Sequence, residues 1–443
     1  MVHWFEDRYL AVDLRWLGAF RILYGCLLIA DLLRHWVVLR DFYSNDGILP
    51  NHFSLFRPLG RDLFSLYHAF STPLQVHFAF ALTLLVYLTY IVGYRTRLFQ
   101  VLVLVCVTSL ASRNVLVENG GTVVVSLLAF WTLFLPLGKR LSLDSLLYSL
   151  RHDVESSPDE LNQRRQLPPD SDASSLPSFA GPNKVYALAM FALLLQWSII
   201  YFFNCVSKLP GRGWENGSAL HWFLHQDRIV TWLGIFMREH VPYVLLRVMT
   251  YATLVVEGTL AFILLIPFGQ AWLRRLAFVF ALGLHGVIAA TSRLGPFSYG
   301  MMVFFVLPLR AADWNALLRA LSYKSSKLTV VFDDDCGVCF YICRVLKRLD
   351  LLHRLEFVGN SQRERLPADL APELLERTVV VIDERGRRFT RERAVSEVLY
   401  ALPLGFLLGF WLRVPGLSAL ARKGYEAFAS ERREISTRLG FAA

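Results

Sequence analysis

Two cysteine thiols separated by two residues are the side chains of this sequence best suited to redox chemistry. Cys336 and Cys339 form a Cys-x-x-Cys motif that is preceded by Asp335 and follows the apolar run 328–332. At the start of a helix, unpaired backbone amides stabilise a thiolate, and a second thiol one turn later can resolve a mixed disulfide. We therefore predict a dithiol that exchanges disulfides, with Cys336 at the exposed start of a helix.

Acidic residues precede the motif and affect the predicted reactivity of its thiols. Asp333, Asp334 and Asp335 follow one another directly before Cys336. Negative charge close to a thiol opposes its ionisation. The sequence therefore favours a dithiol with the character of a reductant over a strong oxidant.

Two other interpretations of the cysteine pair remain open at this stage. Cys336 and Cys339 are half of a zinc site that needs two further ligands, or they are buried structural residues. Cys343 follows Cys339 by four positions and shares its helix face, where it is a third ligand, a resolving thiol or a core residue. The remaining cysteines lie in or beside apolar windows and are expected to act as small hydrophobic side chains.

The elements around the motif predict a small α/β domain. The predicted order is strand 328–333, helix 338–350, strand 354–359, helix 368–376, strand 378–383, a turn with a short strand, and helix 391–401. Helices between strands and a closing hairpin indicate a sheet of thioredoxin type.

The rest of the chain has the composition of a multi-pass membrane protein. Of its 443 residues, 55% are hydrophobic and only 19% are charged. A helix of roughly 20 apolar residues spans a bilayer. We predict about eight such helices, in windows at 17–38, 74–93, 98–113, 121–137, 185–204, 243–268, 274–291 and 296–309. The first, third, fourth and last windows are short or interrupted by charge, so seven or nine spans remain open.

The positive charge of the chain indicates topology and excludes a nucleic-acid partner. The net charge is +10, but the basic residues lie between apolar windows and form no single face or tail. They are concentrated in alternate connections, as expected of cytoplasmic loops. We therefore predict an integral cell-membrane protein that contacts membrane lipids, with both termini and the Cys-x-x-Cys domain in the cytoplasm.

A polar segment divides the predicted membrane domain into halves. Residues 139–184 are rich in Ser, Pro, Gln and charged residues and are predicted to be a cytoplasmic linker without order of its own. The predicted domains are then 1–138 and 185–310, the two halves of the membrane domain, and 328–440, the soluble domain.

Ionisable residues inside the apolar windows are candidates for function. Arg21 and Asp31 lie in the first window, Glu257 in the sixth and His285 in the seventh, and Lys208 ends the fifth. Such residues are costly in a membrane and are paired or functional. Lys208 is either a desolvated amine that acts as a base or a side chain that extends to the headgroups. His285 is either functional or a core histidine bonded to a carbonyl, and Arg21 and Asp31 are each expected to pair with another helix.

The C-terminal region resembles the DCC family of thiol-disulfide oxidoreductases over residues 328–440. The resemblance rests on Asp335, Cys336 and Cys339 and on later blocks at 381–386, 392–395, Tyr425 and Arg432-Arg433. It implies thiol-disulfide exchange by Cys336 and Cys339 beside Asp335, with thioredoxin-like or other thiol proteins as partners. A typical thioredoxin has a proline where this chain has Arg377-Thr378.

The apolar region resembles the HTTM domain of vitamin K-dependent gamma-glutamyl carboxylases over residues 13–310. The matching segments are 20–25, 93–95, 119–121, 142–144, 208–209 and His285. The resemblance implies that Lys208 is the base acting on a reduced, vitamin K-like quinone, with His285 catalytic and Arg21 and Asn119 binding the cofactor. Gly121 stands where that family has a histidine, and the outer peptide-binding domain of the animal carboxylases is missing.

Two hypotheses for function follow. In the first, the protein is a membrane redox enzyme whose dithiol exchanges disulfides, joined to a domain that performs quinone-dependent, carboxylase-like chemistry. In the second, it is a non-enzymatic membrane scaffold, lipid binder or carrier with a structural or metal-binding cysteine pair.

Overall fold

The computed structural model describes residues 2–56, 65–117, 119–153, 155–162, 183–322, 327–403 and 405–441. The chain divides into two compact units. The first, here called the helical unit, contains the described residues up to Ser145 and those from 183 to Ala311. The second, called the α/β unit, contains residues 146–162 and the described residues from Ala312 onward.

The described residues form 22 α-helices and six strands. The helices are α1 Val2–Phe5, α2 Leu14–Val37, α3 Leu39–Tyr43, α4 Asn51–Phe56, α5 Pro73–Val92, α6 Thr96–Arg113, α7 Gly120–Thr132, α8 Leu143–His152, α9 Pro158–Asn162, α10 Leu188–Lys208, α11 Arg212–Glu215, α12 Ala219–Leu224, α13 Trp232–His240, α14 Tyr243–Ile263, α15 Gln270–Thr291, α16 Phe297–Phe304, α17 Ala311–Ser322, α18 Gly337–Leu349, α19 Pro372–Arg377, α20 Arg391–Ala401, α21 Phe406–Gly409 and α22 Leu417–Arg438. The strands are β1 Ala11–Asp13, β2 Lys184–Tyr186, β3 Leu328–Phe332, β4 Leu355–Gly359, β5 Val380–Asp383 and β6 Arg388–Thr390.

Six helices of the described residues are long and apolar enough to cross a membrane, two fewer than the eight predicted. They are α2, α5, α6, α10, α14 and α15. The predicted spans at 121–137 and 296–309 contain only the 13-residue α7 and the 8-residue α16. Apolar composition continues beyond each short helix, but the backbone turns at its end, so hydropathy alone overestimated the helix lengths.

Local sequence signals fix where the long helices begin and end. Thr72 and Gln75 form a capping box at the start of α5, and Pro73 occupies its first turn. At the other end, Gly93 has φ +75°, a left-handed conformation that glycine adopts without strain. Asp13 caps α2 by accepting a hydrogen bond from the Arg15 backbone amide at 2.8 Å.

The core of the helical unit is built from aromatic and aliphatic side chains of several helices. Trp197 of α10 is fully buried and stacks on Phe304 of α16, with ring centroids 4.2 Å apart. The short helices α7 and α16 also pack against each other. This burial shows why α16 is stable although it is short, since most helix stability in proteins comes from tertiary packing.

The α/β unit contains a four-stranded sheet with the strand order β4-β3-β5-β6. Strand β3 is parallel to β4 and antiparallel to β5, and β5 is antiparallel to β6. Helix α18 connects the parallel pair β3 and β4. The predicted element order is therefore confirmed, with boundaries that differ by one to a few residues.

The polar segment between the predicted membrane halves is not wholly without order. Within it, α8 and α9 are helical, and Leu161 is buried in the same hydrophobic core as strands β3 and β4. The Asn162 side chain pairs with the backbone of Phe357 in edge strand β4, accepting from its amide at 2.8 Å and donating to its carbonyl at 2.5 Å. The prediction of disorder is thus wrong for residues 143–153 and 155–162, because these contacts lie far away in sequence, while 163–182 lie outside the described residues.

An acidic side chain of this segment is bound by three basic side chains of α18. Glu155 lies 3.0 Å from Arg344, 3.1 Å from Arg348 and 3.2 Å from Lys347. Burial tends to raise the pKa of Glu155, but Arg348, Arg344 and Lys347 outweigh it, and its pKa is lowered. The helix that carries the cysteine motif is therefore held directly by this segment.

Candidate functional site

The two motif cysteines lie together at the beginning of α18. Cys336 is the N-cap residue of this helix, and Cys339 lies one turn later. The Cys339 and Cys336 sulfurs lie 2.7 Å apart, so the two thiols are placed to react with each other. Both cysteines are free thiols, so the site is described in its dithiol form.

The predicted exposure of Cys336 is wrong. Cys336 is only 1% exposed, whereas Cys339 is partly exposed. The C-terminal helix α22 packs against α18. This contact joins parts of the chain that are about 80 residues apart, so the local motif gave no indication of it.

Burial changes the acid strength of Cys339. Burial raises the pKa of the Cys339 thiol, and the neighbouring Cys336 and Asp333 raise it further, while Arg432 lowers it. The raised pKa favours the protonated form of Cys339. The Cys336 sulfur lies at the N-terminus of α18.

A buried ion pair next to the thiols was not predicted from the sequence. Arg432 of α22 donates a hydrogen bond to Asp333 Oδ2 at 2.5 Å, and both side chains are almost fully buried. Asp333 Oδ1 is also buried and has no hydrogen-bond partner among the described residues. The signal was present, because Arg432 was among the residues that resembled the DCC family, but nothing in the sequence joined it to Asp333.

The three consecutive aspartates have different environments. Asp333 is buried, Asp334 is partly buried and accepts hydrogen bonds from the backbone amide and the hydroxyl of Ser361, and Asp335 is exposed. Gly359 is required at this point, since a Cβ there would lie 2.3 Å from Asp334 Oδ2. The negative charge next to the thiols therefore comes from Asp333 and is partly offset by Arg432.

Cys343 belongs to the core of the α/β unit. It is buried among the apolar side chains of β3, β4 and α20, and burial raises its pKa. No group of three or more His, Cys, Asp or Glu side chains in the described part of the chain could hold a metal ion. Of the three alternatives for Cys343, a third metal ligand, a resolving thiol or a core residue, the structure matches the core residue.

The segment before β5, where a typical thioredoxin has proline, is held by α22. The Tyr425 hydroxyl accepts a hydrogen bond from the Val379 amide at 2.9 Å and lies 3.0 Å from the Thr378 hydroxyl. Helix α22 thus contributes Tyr425 to this segment and Arg432 to the thiol site.

The helical unit contains a separate ion pair that includes Lys208, the residue predicted to act as a base. The Lys208 ammonium at the end of α10 donates to both carboxylate oxygens of Glu257 on α14. The Glu257 side chain is 8% exposed and that of Lys208 is 22% exposed. Lys208 is therefore ion-paired, an arrangement that neither interpretation of its sequence position included.

His285 is buried, and its partner is a hydroxyl group. Its Nε2 lies 2.8 Å from the hydroxyl of Tyr201, and its Nδ1 has no hydrogen-bond partner in the described ranges. The expected alternative, a bond to a neighbouring carbonyl, is thus not found there. Tyr201 and Lys208 both lie on α10, so this helix contributes to both polar pairs.

The two predicted cofactor-binding residues make structural contacts. Arg21 is fully buried and donates to the backbone carbonyls of Leu137 at 2.6 Å and Ile91 at 3.3 Å, so it pairs with other elements as expected. Asp31 instead pairs with Arg34 of its own helix at 2.8 Å. Asn119 caps α7 by accepting from the Gly121 amide at 2.8 Å.

The position at which the carboxylases have a histidine has no space for a side chain here. A Cβ at Gly121 would lie 2.5 Å from the backbone nitrogen of Phe297 and 2.9 Å from Pro296. Close approach of α7 to the start of α16 therefore requires glycine.

Comparison with known proteins gives a family match over part of the α/β unit. Residues 330–438 match the family of DCC1-like thiol-disulfide oxidoreductases, which confirms the resemblance predicted from Asp335, Cys336 and Cys339. The matched range does not include 13–310, so the HTTM resemblance stays a prediction.

The chain is 26% identical over 140 residues to the uncharacterized protein YitO of Bacillus subtilis (strain 168), a match that covers 30% of this chain and 44% of that protein. The alignment thus spans less than half of that relative's length, and no solved structure matches the chain.

Proposed function

We propose that the protein is a membrane-anchored thiol-disulfide oxidoreductase whose active dithiol is Cys336 and Cys339. The observation that carries this proposal is the 2.7 Å separation of the Cys339 and Cys336 sulfurs at the N-terminus of α18. The family match over 330–438 supports redox chemistry of this class. The strand order supports a thioredoxin-type fold for the unit, and the six apolar helices support membrane anchoring.

In the proposed reaction, the Cys336 thiolate attacks one sulfur of a substrate disulfide. A mixed disulfide forms between Cys336 and that sulfur, and the other substrate sulfur leaves as a thiolate. Cys339 then loses its proton and attacks Cys336, which forms the Cys336–Cys339 disulfide and releases the second substrate thiolate. The substrate disulfide gains two electrons and the protein dithiol loses them; the reverse sequence oxidises a substrate dithiol.

The second step needs an acceptor for the Cys339 proton. Asp333 carries charge that raises the pKa of Cys339, and its Oδ1 is buried without a hydrogen-bond partner in the described chain. Arg432 binds the other carboxylate oxygen. We assign Asp333 as the proton acceptor and Arg432 as the residue that positions it.

Trapping with a defined disulfide tests the dithiol chemistry. The full-length protein is incubated with oxidised glutathione, and the adducts are located by peptide mass spectrometry. The Cys339→Ser variant should accumulate glutathione on Cys336, because the resolving thiol is missing, whereas the unaltered protein should form the internal disulfide. Cys343→Ser is the matched control and should behave like the unaltered protein.

The same experiment distinguishes the enzymatic from the non-enzymatic hypothesis. A Cys339→Ser protein without any adduct on Cys336 would exclude Cys336 as the attacking thiol. Protection of both cysteines that a chelator removes would instead identify a metal-binding pair and favour a scaffold, lipid binder or carrier.

A second candidate activity lies in the helical unit, where Lys208 and Glu257 form a charged pair on two of the apolar helices. We propose that this pair, with His285, serves quinone-linked chemistry, because ionisable residues within apolar helices are retained mainly for function. Carboxylation in particular is disfavoured by Gly121. The test is the ratio of oxidised to reduced quinone in membranes of cells with the Lys208→Ala variant. An unchanged ratio there, together with an altered ratio in Cys336→Ser cells, would confine the redox activity to the α/β unit.

A further inference from the structure

Exposed apolar side chains are concentrated within residues 406–420, which run from α21 into the first turn of α22 in the α/β unit. Six of them, here called the apolar patch, are Phe406, Leu408, Phe410, Trp411, Leu417 and Leu420, each between 43% and 67% exposed. Scattered exposed apolar residues are ordinary, but six within 15 residues, including two phenylalanines and a tryptophan, mark an interaction surface. The dithiol chemistry proposed above makes no use of this surface.

The backbone that carries the patch is held firmly to α20. Arg413 donates to the Ser396 hydroxyl at 3.0 Å and to Glu397 at 2.7 Å, and its guanidinium lies 4.0 Å from the centroid of the Tyr400 ring. The Ser396 hydroxyl in turn donates to the Gly409 carbonyl at 3.0 Å. These bonds hold this segment against α20, so the exposed apolar side chains are carried by an ordered backbone.

Charged side chains of both signs lie near the patch, but one lysine is left without an acidic partner in the described part of the chain. Between Glu397 and Glu426 the sequence contains no Asp or Glu, but it contains Arg413, Arg422 and Lys423. Arg413 and Arg422 are paired with Glu397 and Glu392. The Lys423 side chain is exposed and has no ion pair in the described part of the chain. A surface with aromatic and leucine side chains next to an exposed lysine without an acidic partner matches the headgroup region of a bilayer that contains anionic lipids.

We propose that the apolar patch of the α/β unit lies in the headgroup region of an anionic bilayer. This inference rests on the proposed membrane anchoring, which keeps the unit close to a bilayer and raises the effective concentration of lipid at the patch. A weak intrinsic affinity for lipid is then sufficient. The positive-inside pattern predicts that this unit faces the cytoplasmic leaflet, which carries anionic lipids.

Depth-dependent fluorescence quenching tests this proposal on the full-length protein. An environment-sensitive fluorescent amino acid is placed at Leu420, or separately at Leu439, which is 61% exposed at the opposite end of the same helix. The two positions are about 28 Å apart along α22, at 1.5 Å per residue. A third probe at Leu85 of α5, 59% exposed, reports membrane insertion. Each protein is reconstituted into phosphatidylcholine vesicles with or without phosphatidylglycerol, with a doxyl-labelled lipid as the quencher.

Quenching at Leu420 that exceeds quenching at Leu439, and that increases with phosphatidylglycerol, is the expected result. The Lys423→Glu variant should lower the quenching at Leu420 by about two-fold in the anionic vesicles, because it replaces a cation at the surface by an anion. Quenching at Leu85 alone would overturn the proposal and retain the membrane anchor. Quenching at Leu420 alone would retain lipid contact and overturn the anchor. A Leu420 probe shielded from both the lipid quencher and aqueous iodide would identify a protein, such as a second copy of the chain, as the occupant and overturn the lipid assignment.

Discussion

At the scale of single residues, the reactivity of the dithiol depends on a charge that the motif does not contain. Asp333 raises the pKa of Cys339 and Arg432 lowers it, while burial makes the largest contribution. The motif Asp335-Cys336-x-x-Cys339 correctly predicted a helix that begins at Cys336, whereas Cys336 as the nucleophile stays a prediction. Asp335 is exposed, and it is Asp333 that raises the pKa of Cys339. Sequence could not rank the three aspartates, because only their burial and the distant Arg432 separate them.

We expect Asp333→Asn to make Cys339 more reactive. Loss of the negative charge lowers the pKa of Cys339, and each unit of pKa is about a tenfold change in thiolate fraction below that pKa. The measurement is the rate of Cys339 alkylation by iodoacetamide as a function of pH, made in a Cys336→Ser background so that Cys339 is observed alone.

The control for this prediction concerns Arg432, the buried partner of Asp333. Asp333→Asn alone leaves the Arg432 guanidinium without its counter-charge, which costs about 3–5 kcal/mol in buried pairs. The double variant Asp333→Asn with Arg432→Leu removes both charges and should recover much of the stability. A pH profile of Cys339 alkylation unchanged in a folded Asp333→Asn variant would exclude Asp333 as an electrostatic partner of the thiol.

At the scale of elements, the segment 149–162 is a structural part of the α/β unit. Leu161 is buried in the core, Asn162 extends the edge of β4, and Glu155 binds three basic side chains of α18. Composition predicted a polar linker, since the segment contains few apolar residues. These side chains dock the segment together with backbone carbonyls of Leu150 and Asp153, which accept hydrogen bonds from Arg344, and such contacts are not visible in composition.

We expect Leu161→Ala to destabilise the α/β unit by about 2–5 kcal/mol, the usual cost of removing a buried leucine side chain. Hydrogen–deuterium exchange should increase in 149–162 and in strand β4, because Asn162 pairs with that edge strand. Leu349→Ala on α18, a leucine that is 42% exposed, is the matched control and should have a much smaller effect. Equal effects of the two variants would show that Leu161 is not part of the core in solution.

The docking contact of Glu155 should also depend on pH. The pKa of Glu155 is lower in the folded protein than its ordinary value, so the folded state favours the ionised carboxylate. Its contribution to stability is therefore fully present above the ordinary glutamate pKa of about 4.3 and is lost as pH falls through the lowered folded value. The protection of 149–162 against hydrogen–deuterium exchange should fall more steeply in acid for the unaltered protein than for Glu155→Gln. In that variant the docking contact should already be weakened at neutral pH. Identical pH profiles for the two proteins would assign the acid sensitivity to other groups.

At the scale of the whole molecule, the sequence predicted the division into an apolar helical region and a small α/β region. It also predicted the order of elements in the α/β region. The windows at 121–137 and 296–309 were already among those that are short or interrupted by charge, but composition did not predict helices as short as α7 and α16, because an apolar stretch buried within protein has the same composition as one that faces lipid. Met301 and Phe304 of α16 are fully buried, and Gly300 lies close to Val124 of α7, so these helices are stabilised by packing.

The membership of 149–162 in the α/β unit makes a firm prediction about topology. Segments of one compact unit must lie on the same side of a membrane, so residues 149–162 and 327–441 share one side. The chain between them must then cross the bilayer an even number of times. Helices α10, α14 and α15 are, among the described residues, the three in this part of the chain that are long and apolar enough to cross a membrane. If all three cross, we expect the fourth passage to be made by α16 and the turns beside it, although α16 has only eight residues and is about 12 Å long.

A short passage of this kind is permitted where the backbone is buried in protein, because lipid then meets no unpaired backbone groups. The test uses a protein with one epitope tag between Asn162 and Asn183 and a second tag after the C-terminus. The accessibility of both tags is compared between intact and permeabilised cells. We expect both tags, and alkylation of Cys339 by a membrane-impermeant reagent, to become accessible only after permeabilisation. Tags on opposite sides would mean that α16 does not cross and that 149–162 cannot dock on α18 in the cell. Both tags accessible in intact cells would keep the docking and invert the predicted orientation.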